Sequence, residues 1–304
     1  MRFIPRTLFR LFGFAANKCD RTESDIAMLR FTHSCPNNCR FCIDHETPTY
    51  KEIHDGKILA CVALACPKKI IAITGGEPFL NPQKLKDFVQ CVYGKKKMYI
   101  NTSFPETASK NMDIVEYVFD RMDNIDISFH GHNEEQDRET LGNDYHLNKT
   151  AIVSKLAKKY ADKMYLSCVL DRRYFSSIED IRRRIEKFRK FGVKKFYFNE
   201  IANLDRIPDE NYISINEIFE KAGFKKLKNP FEYGCHADIS KIFKDLDVEV
   251  HVKRQCYKHG GTDAPGRAAR IKEWIKFHFL KDAMDDELYI YENGMCSKDR
   301  KYKD

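Results

Sequence analysis

Three cysteines lie close together near the start of the chain, in the segment Cys35-Pro-Asn-Asn-Cys39-Arg-Phe-Cys42. Thiolates bind iron and zinc, and three of them on one short loop can surround a compact metal centre. This spacing suits three corners of a cubane iron–sulfur cluster, which leaves the fourth iron open to a substrate or cofactor. The alternative is a zinc site with three Cys ligands, completed by His33 or His45. Structural zinc usually joins paired two-ligand knuckles, and the sequence has no second knuckle with short spacing.

Short apolar runs alternate with helix-length segments along the first two thirds of the chain, and these elements must position the cysteines. The runs predict strands at residues 26–33, 69–74, 96–103, 124–130, 163–170 and 194–201. Such alternation is typical of a parallel sheet with crossover helices. The pattern alone fits an open sheet and a partial barrel equally. In both, ligands bind at the C-terminal ends of the strands, where the cysteine loop lies.

The order of the motifs resembles the radical S-adenosylmethionine (radical SAM) superfamily. The C-x3-C-x2-C loop follows the first strand, Phe41 precedes its third cysteine, and Gly75-Gly76-Glu77-Pro78 follows the second strand. The resemblance covers about residues 24–202 and implies a partial (β/α)6 TIM-like barrel. It also implies two cofactors, S-adenosylmethionine (SAM) at the open iron and one [4Fe-4S] cluster held by Cys35, Cys39 and Cys42. In that superfamily, reductive cleavage of SAM gives a 5′-deoxyadenosyl radical that abstracts a hydrogen from the substrate.

The same resemblance assigns further residues to SAM. The turn at residues 75–78 would hold the methionyl amino group, because glycine has no Cβ to keep its backbone away from a ligand. Thr102 and Ser128 would contact the ribose or the methionyl carboxylate, and ordinary hydrogen bonding at the strand ends is the alternative. Phe41 would pack near the adenine. Asn199 would contact the ligand or cap the barrel rim.

Two histidines follow the fourth predicted strand. The family's usual pattern places an Asp two residues after Ser128, whereas this chain has His130 there, followed by His132. We predict His130 and His132 as catalytic residues, one of them a proton donor or a substrate contact. The alternative is that both are polar residues of the rim.

The alternation fades after residue 205, and the tail predicts a smaller C-terminal α+β extension. Two runs in it look like strands that could pair, at 247–256 and 287–296, the second with an Asn-Gly turn. The tail faintly resembles the GTP-cyclising enzymes of molybdenum-cofactor biosynthesis, but it lacks their C-x2-C pair and diglycine end. A second iron–sulfur cluster is therefore not expected, although three cysteines could contribute to one: Cys235, Cys256 and Cys296.

The charge and the cysteine count limit the partners and the compartment. The net charge of +8 over 304 residues is mild, so nucleic acid is not an expected partner. The first 18 residues carry four basic and no acidic residues; we predict an arm that packs its aromatics on the domain rather than on a membrane. Eleven cysteines without a secretory signal pattern favour a cytoplasmic location. The run Arg182–Arg184 is predicted to be a solvated helix face.

We therefore predict three regions: an N-terminal arm (1–23), a radical SAM barrel (24–205) and a C-terminal extension that closes the barrel (206–304). The predicted substrate is a small molecule, a nucleotide or a peptide, and a flavodoxin or ferredoxin would supply the electron. The alternatives are an activase of glycyl-radical enzymes and a zinc or iron–sulfur module without catalysis.

Overall fold

Strands and helices alternate between residues 26 and 200 in a computed structural model of the chain, which describes residues 25–46, 49–201, 211–227, 236–254 and 288–297. All six predicted strands are present: β1 (Ile26–Arg30), β2 (Ile70–Thr74), β3 (Lys97–Thr102), β4 (Asn124–Ser128), β5 (Met164–Leu170) and β6 (Lys195–Glu200). The helices are α1 (Gly56–Ala65), α2 (Pro82–Val92), α3 (Glu106–Lys110), α4 (Met112–Asp120), α5 (Glu134–Leu141), α6 (Lys149–Tyr160), α7 (Ile178–Arg189) and α8 (Ile215–Lys221). The predicted N-terminal arm lies outside the described residues.

Local sequence signals explain where the helices begin. The Ser177 hydroxyl accepts a hydrogen bond from the Asp180 N–H, and the Asp180 carboxylate accepts one from the Ser177 N–H, which together form a capping box at the start of α7. At the start of α2 the Asn81 side chain accepts a hydrogen bond from the Lys84 N–H, and Pro82 occupies the first turn, where its missing N–H costs nothing. These ends fix the lengths of the strand-to-helix loops.

The tail adds strands to both ends of the same sheet. They are β7 (His236–Asp238), β8 (Glu249–Lys253), β9 (Leu288–Ile290) and β10 (Cys296–Ser297), and the strand order is β10-β9-β1-β2-β3-β4-β5-β6-β8-β7. The expectation that the two strand-like runs of the tail pair with each other is wrong, because β8 pairs with β6 whereas β9 pairs with β1. The predicted Asn-Gly turn is confirmed: it joins β9 to β10, with Gly294 at φ +82°. The boundaries of the three regions stay a prediction.

The two faces of the sheet differ in character. Residues that point toward the helices are apolar and fully buried, among them Leu29, Ile73, Ile100, Ile127 and Phe196. The alternate positions form the inner face of a partial barrel that is not closed, and most of them are polar: Arg30, Thr74, Asn101, Asp126, Ser128, Asn199 and His251. A polar inner face next to an apolar outer face is suited to binding a ligand rather than to packing as a core.

The membrane was not an expected partner. Among the described residues, no helix combines the length and the apolar character that crossing a bilayer requires.

Candidate active site

The cysteine loop connects the end of β1 to a short 3₁₀ helix at Ile43–Glu46. Cys35 is exposed, whereas Cys39 and Cys42 are partly buried. Desolvation by the surrounding protein, with some contribution from the charges of Glu77 and Cys42, raises the pKa of the Cys35 thiol to about 11, although part of this residue is exposed. Burial and the charges of the neighbouring thiols raise the pKa of Cys39 further. The three thiols therefore lie near one another, and Cys35 and Cys39 need a positive centre to exist as thiolates.

The geometry of this loop bears on the zinc alternative. In the part of the chain that the structure describes, no three side chains of the His, Cys, Asp and Glu types converge as ligands of a single metal ion, and this holds for the three loop cysteines as well as for His33 and His45. The His33 Nδ1 atom instead faces two carboxylates, 3.7 Å from Glu52 and 3.6 Å from Glu292. His45 is exposed. The predicted cluster ligation by the three cysteines stays a prediction.

The glycine turn after β2 holds the cysteine loop through its backbone. The Gly76 N–H donates to the Thr32 carbonyl (2.7 Å) and the Glu77 N–H donates to the Ser34 carbonyl (2.9 Å). A Cβ atom on Gly76 would lie only 2.1 Å from the Ser34 carbonyl oxygen. Gly75 has φ +105°, which is favourable only for glycine. The two glycines therefore permit close contact between the turn and the loop.

Glu77 is buried and bonded within the protein. Its carboxylate accepts hydrogen bonds from the hydroxyl of Thr102 (2.7 Å), from the N–H (2.8 Å) and hydroxyl (2.6 Å) of Ser103, and from the Phe79 N–H (3.0 Å). Burial raises the pKa of Glu77, although these hydrogen bonds oppose the effect. Glu77 and Thr102 thus connect the turn to the end of β3, and their predicted contacts with SAM stay predictions. Pro78 is buried at the start of a 3₁₀ helix, Pro78–Leu80.

Three polar residues that the sequence analysis missed extend this network to the cysteine loop. The Asn37 side-chain amide donates to the Ser103 hydroxyl (2.8 Å), and the Asn143 side-chain amide donates to the side-chain oxygen Oδ1 of Asn37 (2.6 Å). Asn37 lies between Cys35 and Cys39, so the network fixes the loop between two predicted ligands. The signal for Asn37 was its place inside the motif; nothing in the sequence pointed to Ser103 or Asn143.

The C-terminal end of α5 supports the other side of the loop. The Leu141 carbonyl accepts a hydrogen bond from the Asn38 N–H (2.8 Å) and lies 3.6 Å from the Cys39 sulfur. Gly142 caps α5 at φ +61°, and a Cβ there would lie 2.6 Å from the Asn38 carbonyl oxygen. Two separate elements, the glycine turn and α5, therefore hold the cysteine loop in place.

His130 lies beside the cysteine loop, with its ring 5.3 Å from that of Phe41. Its Nδ1 accepts a hydrogen bond from the Val169 N–H (3.2 Å), so in the neutral form the proton is on Nε2. Burial and the nearby Lys149 and Arg184 charges hold the pKa of His130 well below its usual value. The ring is thus neutral near pH 7 and can donate a hydrogen bond through Nε2, but it is a poor source of a positive charge.

The structure does not bring His132 and His130 together. The His132 ring packs 4.9 Å from the Phe175 ring, and its Nε2 lies 3.0 Å from the Tyr174 carbonyl oxygen, near the start of α7. Ser128 lies on the inner face, with its hydroxyl 3.5 Å from that of Ser167. Asn199 is partly buried on the same inner face. The catalytic roles of the two histidines stay predictions.

The expected solvation of Arg184 is wrong. Arg182 and Arg183 are exposed in part, but Arg184 is fully buried and donates to the carbonyls of Phe129 and Gly131. Asp137 is also buried; it accepts from the His130 N–H (2.5 Å) and pairs with Lys149 (2.8 Å). Through these hydrogen bonds, the charged groups fix the position of the backbone that carries His130. Sequence reasoning missed Arg184 because it stands in a run of otherwise surface-type charges.

The tail reaches the site through Glu292. This buried carboxylate forms a bidentate ion pair with Arg30 of β1 (2.6 and 2.7 Å) and accepts from the Tyr50 N–H (2.9 Å). Of the tail cysteines, Cys296 is exposed on β10, whereas Cys235 and Cys256 lie outside the described residues. The expectation of a single cluster stays a prediction.

Comparison with known proteins gives one family match. Residues 29–222 match the family model of the radical SAM superfamily. No curated protein sequence matches the chain.

Several solved structures share the fold. Streptococcus suis SuiB bound to S-adenosylmethionine has 11% identity and a TM-score of 0.57, over 90% of this chain and 60% of SuiB. SuiB bound to its precursor peptide SuiA gives 11% and 0.57, over 96% of this chain and 62% of SuiB. Native anSMEcpe with AdoMet and the Cp18Cys peptide gives 13% and 0.56, over 91% of this chain and 74% of that chain. The present chain thus spans about three fifths of the length of SuiB.

Proposed function

The chain belongs to the radical SAM superfamily of enzymes, and from that premise we propose that it cleaves S-adenosylmethionine reductively at a [4Fe-4S] cluster. When bound, the cluster and SAM supply a 5′-deoxyadenosyl radical, which abstracts a hydrogen atom from the substrate. The family match covers nearly two thirds of the chain and supports the reaction class. The type of product is left open.

The observation that carries this proposal is the cysteine loop held against the glycine turn. Cys35, Cys39 and Cys42 would hold three irons, and the loop that bears them is fixed by backbone hydrogen bonds to Gly76 and Glu77. The thiols lie close together at the C-terminal edge of parallel strands, where such folds bind ligands. The raised pKa values of Cys35 and Cys39 fit a site that needs iron to stabilise thiolates. The donor set therefore suits the cluster.

The surrounding residues suit SAM in turn. The backbone of Gly75 and Gly76 would take the methionyl amino group, because glycine has no side chain of its own to keep a ligand away. Phe41 and His130 form an aromatic pair next to the loop, where an adenine ring would stack. Ser128 and Asn199, on the inner face, would take the polar groups of the ribose or carboxylate. His130, held neutral, would offer its Nε2 hydrogen to an acceptor on the ligand.

The substrate class and the electron donor are further proposals. SuiB was solved with its precursor peptide and anSMEcpe with the Cp18Cys peptide, so these two structures support the peptide among the three predicted classes of substrate. The polar inner face of the barrel would receive the reacting group. A flavodoxin or ferredoxin would reduce the cluster in a cytoplasmic setting, which the eleven cysteines favour.

The test is replacement of one predicted ligand. Cys39→Ala removes one of the three attachments of the cluster, so we expect 5′-deoxyadenosine formation from SAM to fall to background after anaerobic reconstitution and reduction. Iron and sulfide content, and the cluster's electron paramagnetic resonance signal, should fall with it. Cys61→Ala, at an exposed position of α1, is the matched control and should retain all three. Full cleavage by the Cys39→Ala protein would refute the assignment.

A further inference from the structure

Asp126 is a carboxylate on the inner face of the barrel, two residues before the end of β4. In the sheet register it lies opposite Tyr165 of β5 on one side and Asn101 of β3 on the other. Tyr99 occupies the inner position of β3 two residues before Asn101, so it is a diagonal neighbour of Asp126. Asp126 is thus set among tyrosine side chains on the inner face of the barrel, the face that the proposed function assigns to substrate.

The carboxylate of Asp126 is incompletely satisfied. It accepts a hydrogen bond from Ser167, but its Oδ1 atom is buried without a hydrogen-bond partner in the described part of the chain. No positively charged side chain among the described residues offsets its charge, and burial raises its pKa to about 6. A desolvated carboxylate in this condition costs free energy unless a ligand partners it.

The other buried carboxylates near the site are all partnered. Glu77 accepts four hydrogen bonds, Asp137 pairs with Lys149, and Glu292 pairs with Arg30. Asp126 differs from each of them, because its Oδ1 atom has no hydrogen-bond partner among the described residues. The protein therefore supplies hydrogen bonds or a counter-ion to the other three carboxylates, and Asp126 is the exception among these four.

Lys195, a cation on the inner face, is already engaged by other groups. Lys195 lies 3.6 Å from Glu249 and 5.2 Å above the Tyr165 ring. Glu249 also accepts a hydrogen bond from the Tyr165 hydroxyl (2.8 Å) and lies 2.7 Å from the His251 Nε2. These contacts fix the Tyr165 side chain and leave the Asp126 charge without a protein counter-ion.

A carboxylate beside tyrosine rings is suited to a positively charged nitrogen. The carboxylate supplies charge-assisted hydrogen bonds, and the ring faces attract a cation through their quadrupoles. The terminal torsion of an aspartate is broad and its two oxygens are equivalent, so either oxygen can turn toward a bound group. Hydroxyl or carboxylate groups would gain less here or be repelled.

We propose that Asp126, flanked by Tyr99 and Tyr165, binds a protonated amine of the substrate inside the barrel. This inference rests on the proposed function, since it assumes that substrate enters the cavity beside the cluster. It narrows the substrate to molecules that carry an ammonium group. It also gives the site an orientation, with the amine held on β4 and the rest of the substrate extending toward the strand ends.

The test compares matched probes on the reconstituted, SAM-loaded protein. Pentylamine, pentanol and pentanoate share one chain and differ in charge, and Nα-acetyl-lysine N-methylamide presents the same amine within a peptide. Ligand-observed NMR gives each affinity. We expect the better amine to bind at least about tenfold more tightly than pentanol or pentanoate, the effect of one hydrogen-bonded charge. If pentylamine binds more tightly, the site favours a free amine. If Nα-acetyl-lysine N-methylamide binds more tightly, the site favours a lysine side chain within a peptide.

Asp126→Asn keeps the shape and removes the charge, so the preference for amines should disappear. Asp162→Asn makes the same change at an exposed turn and should keep the preference. Tyr99→Leu removes one ring and should weaken only the amine probes, by about threefold. Wild-type protein without a preference for amines, or Asp126→Asn protein that retains it, would overturn the inference. Formation of 5′-deoxyadenosine in the same samples is scored separately, so failure of SAM cleavage would refute the proposed function and leave the amine result to be judged by itself.

Discussion

At the scale of single residues, Glu77 and Asp126 show two opposite uses of a buried carboxylate. Glu77 comes from a recognisable motif, yet its four hydrogen-bond donors come from Phe79, Thr102 and Ser103, two of them about 25 positions away. The sequence predicted that Glu77 belongs to the site, but its contacts required the register of β2 against β3. Asp126 belongs to no motif. Only the three-dimensional structure shows that its charge lacks a partner.

The raised pKa of Asp126 gives a prediction about stability. The folded protein holds the Asp126 proton up to about pH 6, whereas the unfolded chain releases it near 3.8. The folded state binds more protons over this interval, so ionisation destabilises it as pH rises and the full penalty applies above pH 6. Asp126→Asn removes the penalty. We expect it to raise the free energy of unfolding by about 3 kcal/mol at pH 8 and by roughly half of that at pH 5.

Urea unfolding of the two proteins at both pH values measures this difference. Asp162→Asn, at a fully solvated position, should leave the free energy of unfolding almost unchanged at either pH. A gain that is absent at pH 8, or equal at the two pH values, would contradict the buried, unpartnered state of Asp126. A gain would also show that the wild-type protein keeps a costly charge in its cavity, as binding sites commonly do.

At the scale of elements, strand and helix positions were predictable because apolar residues recur with a different period in strands and in helices. β1 to β6 all appear where short apolar runs occur, and α7 begins at its serine cap. Arg184 was not predictable in the same way. Its neighbours in α7 are charged and exposed, and only the packing of α7 against the end of β4 buries it against two backbone carbonyls. The pattern of charges alone therefore predicted the wrong environment for Arg184, one of the three arginines in the run.

The contact between the glycine turn and the cysteine loop gives a prediction for Gly76. A side chain at Gly76 would affect more than SAM binding, since a Cβ atom would lie 2.1 Å from the Ser34 carbonyl oxygen and displace the loop itself. We expect Gly76→Ala to lower the iron content by about half or more as well as to weaken SAM binding, because backbone at 2.1 Å must shift.

Iron analysis and isothermal titration with SAM on the same reconstituted samples separate the two effects. Gly94→Asn is the comparison, since Gly94 has φ +76°, which asparagine tolerates, and an added Cβ there meets nothing within 4 Å. It should retain wild-type iron and SAM affinity. A Gly76→Ala protein with full iron but weak SAM binding would show that the turn serves SAM and not the loop.

At the scale of the whole molecule, the tail and the barrel share one sheet. β8 extends the sheet beyond β6, and β9 extends it beyond β1 with parallel pairing. The strand-like runs of the tail were predictable from their alternation, but their partners were not, since parallel pairing with β1 and β6 joins segments far apart in sequence. This arrangement has a functional consequence, because β1 leads directly into the cysteine loop. The tail strand β9 lies along the edge of β1 that faces away from β2, so the tail supports the loop from that side.

The ion pair between Arg30 and Glu292 is the connection on which this support depends, and it gives the last prediction. Both side chains are buried, and Glu292 also holds the backbone of Tyr50 and Ile53, which follow the cysteine loop. Glu292→Ala leaves the Arg30 charge buried without the Glu292 carboxylate, so we expect a loss of about 3–5 kcal/mol in the free energy of unfolding.

Asp245→Ala breaks the more exposed pair with Arg182 and should cost less than about 1 kcal/mol. Arg30→Met combined with Glu292→Leu removes both charges and should recover part of the loss. Urea unfolding measures all three, and hydrogen exchange should show faster exchange in β1, β9 and residues 50–53 only when Glu292 is replaced alone. Equal losses for Glu292→Ala and Asp245→Ala would mean that the tail rests against the barrel without holding the site.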